Sequence, residues 1–182
     1  MSNEQFKMKF KNGILTLIKF RRSVRRFKKQ KIPAAAIKKI LNTGRFAPSG
    51  LNNQPWRFLV LAAGSKNDLA RFTKYGHIIK SADKVILVFL DRASSYHYEK
   101  DLLAVGACIQ NMLLAAFSLG IGSCWLGEIL NQRQVVNDFL KIHRRIQLEA
   151  VIALGYPVVK SLKGTHKPLR TLLLKTETNK TK

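Results

Sequence analysis

The sequence predicts a single domain that mixes helices and strands, of the α+β or α/β class. Its 182 residues, 46% of them hydrophobic, are enough for one domain with a substantial core. Helix-like and strand-like segments alternate along the chain, and no internal repeat or change of composition marks a second domain. We therefore expect residues 1–182 to form one domain.

Sequence patterns predict five helices along the chain. They lie at about 14–20, 34–45, 65–75, 98–119 and 133–142. Pro33 suits the first turn of the second helix, and Ser65 can cap the third. The fourth helix, from about Tyr98 to Leu119, is apolar on most sides, so we expect it to be buried in the core or against a second subunit. Gly120 is expected to end this helix in a left-handed conformation.

Four apolar segments bounded by turn residues predict strands. They lie at about 56–63, 84–90, 121–128 and 147–154. Gly64 and Ser65 end the first strand, and the third strand runs into a glycine turn. The second strand, Lys84–Leu90, is apolar almost throughout, which predicts a central position in its sheet.

The chain is strongly basic, with 33 Lys and Arg residues against 10 Asp and Glu and a net charge of +23. Such a charge favours anionic partners: nucleic acid, a membrane surface or a phosphorylated cofactor. A basic nucleic-acid-binding module is therefore one hypothesis. Against it, the basic residues are spread along the chain, and most aromatic residues lie within apolar runs.

Other features predict a cytoplasmic protein without a membrane span or a metal site. The segment Met1–Phe10 lacks an apolar signal core, and no run of eighteen apolar residues is present. Cys108 and Cys124 have no CxxC pairing and are expected to be buried free thiols. The four histidines are scattered, and motifs of Rossmann, P-loop, serine-hydrolase and zinc-protease sites are absent from the sequence.

A basic segment, Arg21–Phe27, follows the first helix. Where it is extended, alternation places Arg21, Ser23 and Arg25 on one side. Two guanidinium groups and a hydroxyl on one side suit a phosphate, because arginine binds phosphate through paired, charge-assisted hydrogen bonds. A solvated basic run is the alternative.

The loop Ala47–Trp56 combines a restricted backbone with polar side chains. Pro48 and Pro55 exclude helix and central strand. The hydrogen-bonding side chains of the loop are Ser49, Asn52, Asn53 and Gln54. The loop therefore suits the edge of a polar, planar ligand, or it is an ordinary connection from helix to strand.

Four motifs, taken in order, resemble those of the nitroreductase family of flavin enzymes. They are Arg21–Arg25, Ala47–Trp56, Leu113–Gly127 and Ala153–Pro157 with the following Lys167–Leu169. The resemblance extends from about Leu15 to Leu174. It implies an α+β fold with a central, mostly antiparallel sheet flanked by helices, and a homodimer with two FMN sites at the subunit interface. The long helix would be buried in that interface, and the tail at about 158–182 would dock on the partner subunit.

The resemblance also implies which residues hold FMN at its phosphate end. Arg21, Arg22 and Ser23 would bind the phosphate and the ribityl chain. Arg25 would lie near the pyrimidine edge, where a cation stabilises the reduced flavin. From the tail, Lys167 and Lys163 would close on the phosphate, with His166 as a further candidate.

By the same resemblance, two other stretches surround the flavin ring. The rim would be bounded by residues of the other subunit, namely Pro48, Ser49, Gly50 and Asn52. The opposite face would be lined by Trp125, Leu126, Gly127 and Glu128, and a backbone N–H of Gly127 or Glu128 would be directed at N5. The chain departs from the family pattern at Glu128, where glycine is frequent. It also departs in the short segment Asn131–His143, which implies a reduced lid over the acceptor pocket.

The chemistry implied by the resemblance is ping-pong hydride transfer. NADH or NADPH would reduce the flavin and leave, and an electron-poor acceptor such as a nitroaromatic or a quinone would then take its place. No catalytic side chain is expected, because the flavin carries the chemistry and the protein supplies position and charge. A flavin-binding scaffold without turnover is a further alternative.

Overall fold

A four-stranded antiparallel sheet forms the centre of the chain, in a computed structural model that describes residues 13–159 and 163–174. The predicted polar start, Met1–Phe10, and the end of the basic tail lie outside these residues. The strands are β1 (Trp56–Ala62), β2 (Lys84–Asp91), β3 (Gly122–Leu126) and β4 (Ile146–Gly155). Their order is β1-β2-β4-β3, and every neighbouring pair is antiparallel. This arrangement confirms the α+β class.

Helices surround the sheet on both faces. Within the described residues they are α1 (Gly13–Phe20), α2 (Ala34–Gly44), α3 (Ala63–Leu69), α4 (Gly76–Ser81), α5 (Tyr98–Ser118) and α6 (Arg133–Phe139). Short 3-10 turns cover Gly50–Asn52, Ala70–Phe72, Glu128–Gln132 and Leu169–Thr171. The predicted helices near residues 14, 34, 98 and 133 are all present.

The central strands are apolar on both sides because each face of the sheet is covered. Along β2, Ile86, Val88 and Leu90 belong to a core shared with α2 and α5. The alternate residues Val85, Leu87 and Phe89 belong to a second core shared with α3, α4 and α6. The predicted central position of this strand is confirmed, since β2 pairs with β1 on one side and β4 on the other.

A β-bulge interrupts the pairing of β2 with β4 at Glu149. Val88 pairs with Ala150 and Phe89 with Leu148, so Glu149 is the extra residue. Its buried carboxylate accepts hydrogen bonds from Arg133 at 2.9 Å and from the hydroxyl of Tyr98 at 3.4 Å. Burial raises the pKa of Glu149, and Arg133 and Tyr98 oppose that shift. The bulge thus ties the first residues of α5 and α6 to the sheet.

The predicted helix at 65–75 is wrong in its length and in its cap. α3 begins at Ala63 and ends at Leu69, Ser65 lies inside it, and no side chain caps its start. A separate helix, α4, follows from Gly76, where a side chain would overlap the carbonyl oxygen of Ala70. The turn between α3 and α4 therefore depends on a close backbone contact that no local sequence pattern predicts. The third strand and the last helix are also shorter than predicted, ending at Leu126 and Phe139.

The long helix α5 is long and apolar enough to cross a membrane by length and composition alone. Its inner face instead packs on α2 and on the sheet, and it carries the buried, charged Asp101 near its start. Such burial is typical of a core helix in a folded domain. Leu103 is 76% exposed, so one side of α5 is uncovered in the single chain.

Candidate cofactor site

A positively charged cleft of about 280 Å³ lies beside the start of β3. Its walls come from two distant parts of the chain, the segment after α1 and the tail. The lining residues are Arg21, Arg22, Ser23, Arg25, Lys163, Gly164, Thr165 and His166. The four candidates predicted after α1 therefore lie together with one of the two lysines predicted from the tail.

The segment Arg21–Phe27 reaches the cleft by lying along the edge of the sheet. Ser23 forms an isolated parallel bridge with Ser123 at the start of β3. The backbone N–H of Val24 donates to the carbonyl oxygen of Ser123 at 2.9 Å. Gly122 permits this contact, because a Cβ at that position would lie 2.9 Å from the side chain of Val24. The bridge holds this part of the segment beside β3, where Arg21, Arg22, Ser23 and Arg25 line the cleft.

The cleft concentrates positive charge that the described part of the chain does not neutralise. None of the ion pairs among the described residues involves Arg21, Arg25 or Lys163. Burial lowers the pKa of Arg21, and the charge of Arg22 lowers it further. Burial raises the pKa of Cys124 on β3, and Arg25 and Arg21 oppose that shift, so both guanidinium groups lie near this strand. A bound anion would relieve the repulsion between the arginines.

Arg22 joins the cleft to α1 and to the tail. Its Nη1 donates to the carbonyl oxygens of Lys19 at 2.7 Å and Arg21 at 2.8 Å, and so binds an unpaired carbonyl at the end of α1. Its Nε is buried and has no hydrogen-bond partner among the described residues. Gly164 packs on the guanidinium group, since a Cβ there would lie 2.5 Å from Nε. Part of Arg22 thus serves the fold, and its buried Nε makes no hydrogen bond within the described chain.

These features fit a phosphate group such as that of FMN. Guanidinium, ammonium and hydroxyl donors converge on one cleft, and one buried donor atom has no partner in the described chain. The missing side chain of Gly164 lets the tail pack directly against the guanidinium group of Arg22. Metal binding has no comparable support, because no cluster of three His, Cys, Asp or Glu residues in the described ranges could hold an ion.

The tail contributes Lys163 and His166 to this cleft, whereas Lys167 does not line it. The sequence left the choice among these three residues open, and the geometry favours the first two. Sequence reasoning missed Thr165, which also lines the cleft. A polar tail without periodicity gives no signal that singles out one such residue.

The loop Ala47–Trp56 does not reach the cleft within the described chain, and it lies against the start of α5. Positive φ values of 54°, 52° and 44° at Leu51, Asn52 and Gln54 give the loop its shape. The candidates on this loop, Pro48, Ser49, Gly50 and Asn52, therefore do not meet the phosphate candidates in one chain. The resemblance assigned them to the site of the other subunit, and that assignment stays a prediction.

The end of β3 presents Trp125 and Gly127 to solvent. Trp125 is 44% exposed, whereas Leu126 is buried in the core. A Cβ at Gly127 would meet no atom within 4 Å, and its φ of −95° is one that any residue adopts. The fold of the single chain therefore does not require glycine at this position.

Glu128 does not continue β3 and instead begins a 3-10 turn. Its carboxylate accepts hydrogen bonds from the hydroxyl of Thr73 at 2.5 Å and from the backbone N–H of Lys74 at 3.3 Å. The side chain is therefore bound within the chain. It holds the turn that follows Gly127 against the segment between α3 and α4.

Comparison with known proteins assigns the chain to a family. The model of the Nitroreductase family matches residues 18–75 and 66–156, which is more than half of the chain. The chain belongs to the nitroreductase family. The resemblance inferred from its motifs is thereby confirmed.

Three known proteins illustrate how this nitroreductase family member compares with others. It is 36% identical over 148 residues to a "Putative NADH dehydrogenase/NAD(P)H nitroreductase" of Archaeoglobus fulgidus, covering 79% of this chain and 84% of that protein. It is 30% identical over 167 residues to an "Iodotyrosine deiodinase" of Thermotoga neapolitana, covering 78% of this chain and 87% of that protein. Among solved structures, it matches the crystal structure of a "putative nitroreductase in complex with FMN" from Desulfovibrio desulfuricans with a TM-score of 0.88. The two sequences are 46% identical, and the match covers 91% of this chain and 98% of that chain. The fold of this nitroreductase is thus that of its family.

Proposed function

We propose that this nitroreductase is an FMN-dependent oxidoreductase that passes a hydride from NADH or NADPH to an electron-poor small molecule. The observation that carries the proposal is the cationic cleft, in which arginines after α1 and Lys163 of the tail surround a space suited to phosphate. The 46% identical protein of Desulfovibrio desulfuricans, described in complex with FMN, supports the choice of cofactor. The names of relatives support a nicotinamide as the reductant.

In this proposal the cleft holds the phosphate end of FMN. Arg21, Ser23 and Lys163 would donate hydrogen bonds to it, together with the guanidinium group of Arg22. Arg25 would lie toward the pyrimidine edge, where its charge would stabilise the reduced form. Bound FMN would supply the hydride-accepting and hydride-donating chemistry at N5.

We propose a homodimer, in which the loop at 48–52 of one subunit completes the site of the other. Exposed apolar side chains support a second subunit, because α1 buries none of its residues although most of them are apolar. The exposed large apolar residues of α1, α5 and the tail are Ile14, Leu15, Ile18, Phe20, Leu103, Val158, Val159, Leu169, Leu172, Leu173 and Leu174. Each Å² of apolar surface that a partner covers would contribute about 25 cal/mol. The tail would dock on the partner through its leucines.

The chain's own contribution to the reaction is position and charge. No side chain in the cleft or at the end of β3 is assigned as an acid, a base or a nucleophile, and the arginines stabilise negative charge where they lie. We expect ping-pong kinetics, since the nicotinamide and the acceptor would occupy the same place in turn. We assign the enzyme to the cytoplasm, because its two cysteines are free and buried.

The test is reconstitution of the purified full chain with FMN, followed by anaerobic addition of NADH or NADPH. We expect a yellow protein whose flavin absorbance bleaches with at least one nicotinamide and returns when an acceptor is added. A screen of nitroaromatics, quinones, enones and halogenated phenols would then identify the acceptor class, and the deiodinase name of one relative motivates the phenols. A chain that retains no FMN would refute the proposal. A chain that retains FMN and reduces no acceptor would be a scaffold.

A pair of glycine variants tests the flavin face. A Cβ at either Gly127 or Gly64 would meet no atom within 4 Å, so both changes to alanine leave the fold of the single chain unstrained. We expect Gly127→Ala to weaken FMN binding roughly tenfold, because an inserted methyl group in a filled contact costs about 1–3 kcal/mol. Gly64→Ala, the control, should bind FMN as the wild type does. Equal affinity in both variants would remove Gly127 from the site.

A further inference from the structure

The loop that carries the rim candidates is held by one buried carboxylate near the start of α5, that of Asp101. Its Oδ1 accepts a hydrogen bond from the side-chain amide of Asn53 at 2.8 Å. Its Oδ2 accepts from the hydroxyl of Ser95 at 2.6 Å and from the backbone N–H groups of Tyr96 at 3.0 Å and His97 at 3.2 Å. Four donors thus fill the acceptor sites of one carboxylate.

Asn53 connects this carboxylate to the loop. One N–H of its amide binds Asp101, and the amide also donates to the carbonyl oxygen of Ser94 at 3.0 Å. Both donors of the amide are therefore used by the segment at the start of α5. Three residues earlier, the ring of Tyr96 lies so close to Gly50 that a Cβ there would overlap its hydroxyl. The loop is thus held at two points.

The backbone between and beside these points is strained. Leu51, Asn52 and Gln54 have positive φ values, which residues with a side chain rarely adopt. Leu51 is 84% exposed, so packing within the chain does not hold it there. Such conformations persist only where surrounding contacts over-determine them, and they cluster at functional sites. The contacts of Asn53 and Gly50 tie this loop to the segment before α5. Hydrogen bonds within the loop add to the restraint, such as the one from the backbone N–H of Gln54 to the hydroxyl of Ser49 at 3.1 Å.

We propose that Asp101, acting through Asn53, is a positioning residue that holds the loop in the strained shape required at the cofactor site of the partner subunit. The inference rests on the proposed function, because the loop has FMN as its ligand only if the chain is a flavoprotein. Without the link we expect the loop to relax toward ordinary backbone conformations. Ser49, Gly50 and Asn52 would then no longer be held in place for the ligand.

The decisive variant is Asn53→Leu, which removes both amide donors and keeps the number and branching of the side-chain heavy atoms. We expect FMN affinity of the full chain, measured by fluorescence titration, to fall roughly tenfold or more, because a hydrogen bond to a charged group is lost. The matched control is Asn137→Leu. Asn137 donates to the carbonyl oxygen of Ile146 at 2.8 Å, and like Asn53 it has a buried amide oxygen without a partner among the described residues. We expect a similar loss of Tm in both variants and unchanged FMN affinity in the control.

A second readout reports the loop itself. Chymotrypsin can cut after the exposed Leu51, and we expect cleavage there under native conditions to be faster in Asn53→Leu than in Asn137→Leu. If Asn53→Leu does not fold, Asn53→Ser shortens the side chain out of reach of Asp101 and takes its place in both measurements.

The outcomes separate this inference from the proposed function. A wild-type chain that takes up no FMN overturns both. A wild-type chain that binds FMN, with Asn53→Leu binding equally well, overturns the positioning role alone. The positioning role is also overturned if FMN affinity falls together with Tm to the same extent in Asn53→Leu and Asn137→Leu, because such losses would mark a general structural role.

Discussion

Gly164→Ala tests whether the tail forms one wall of a phosphate site. Gly164 packs on the guanidinium group of Arg22, and a Cβ there would lie 2.5 Å from Nε, 3.1 Å from Cδ and 3.3 Å from Cζ. Arg22 is anchored by its hydrogen bonds to Lys19 and Arg21. The tail is exposed at every described residue from Lys163 on, so we expect the tail to move and Arg22 to stay.

The size of the effect follows from the ammonium group of Lys163, which would move away from the phosphate together with the tail. An ammonium group roughly 4 Å from a phosphate contributes about 1 kcal/mol in water and about 4 kcal/mol at an effective dielectric constant of 20. Lys163 lines an open cleft, which favours the lower half of that range. We therefore expect FMN affinity to fall roughly tenfold, equivalent to about 1.4 kcal/mol, while Tm changes little because the tail adds little to the core.

The assay compares FMN with riboflavin, which lacks the phosphate, by fluorescence titration of each variant. Gly164→Ala should weaken FMN binding and leave riboflavin binding unchanged, and Gly64→Ala should change neither. The reasoning is refuted if FMN binds Gly164→Ala as tightly as the wild type. It is also refuted if riboflavin loses as much affinity as FMN, since the tail would then act on the ring or on the fold.

Two further predictions concern stability. Burial acts to raise the pKa of Asp101, but hydrogen bonds from Ser95, Asn53 and the backbone outweigh it and lower the pKa. Because this pKa is lower in the folded state, the ionised carboxylate stabilises the fold at pH values above the pKa of the unfolded state. The free energy of unfolding should therefore drop as the pH falls below about 4. Ser95→Ala should make that drop smaller in denaturant titrations between about pH 7 and 3. Arg133→Met leaves the buried Glu149 without its cation, and since Arg133 is 32% exposed we expect a loss of about 2 kcal/mol by urea unfolding. An unchanged midpoint would show that this pair does not support the bulge.

The parts of the fold that the sequence predicted well are those where burial is periodic along a single segment. β2 was placed at the centre because it is apolar on both faces, and helices do cover both faces. α5 was predicted from Tyr98 because its apolar residues recur over more than five turns, and Gly120 follows it with φ of 73° as expected. Arg21, Ser23 and Arg25 were predicted to share one side of an extended segment, and all three line the cleft. Arg22 lines it too, although alternation placed this residue on the other side.

The features of the fold and the cleft that the sequence did not predict depend on contacts between different segments of the chain. The start of α4 is set by the approach of Gly76 to the backbone of Ala70, and the loop before β1 is held by Asp101, a residue whose sequence context shows only a helix start. The wall of the cleft comes from a tail whose register against Arg22 no local pattern specifies. Lys163 could not be preferred to Lys167 until that register was known.

The cleft also has a consequence for how a newly made chain matures. Its two walls lie near residues 22 and 164, and the last strand of the sheet is finished by Gly155. During synthesis the four described strands are therefore complete before the second wall emerges, and in the proposed flavoprotein cofactor loading would be the final step of maturation. A message truncated just after that strand would encode the four described strands and only one wall of the proposed phosphate site, so flavin retention would distinguish finished copies from truncated ones.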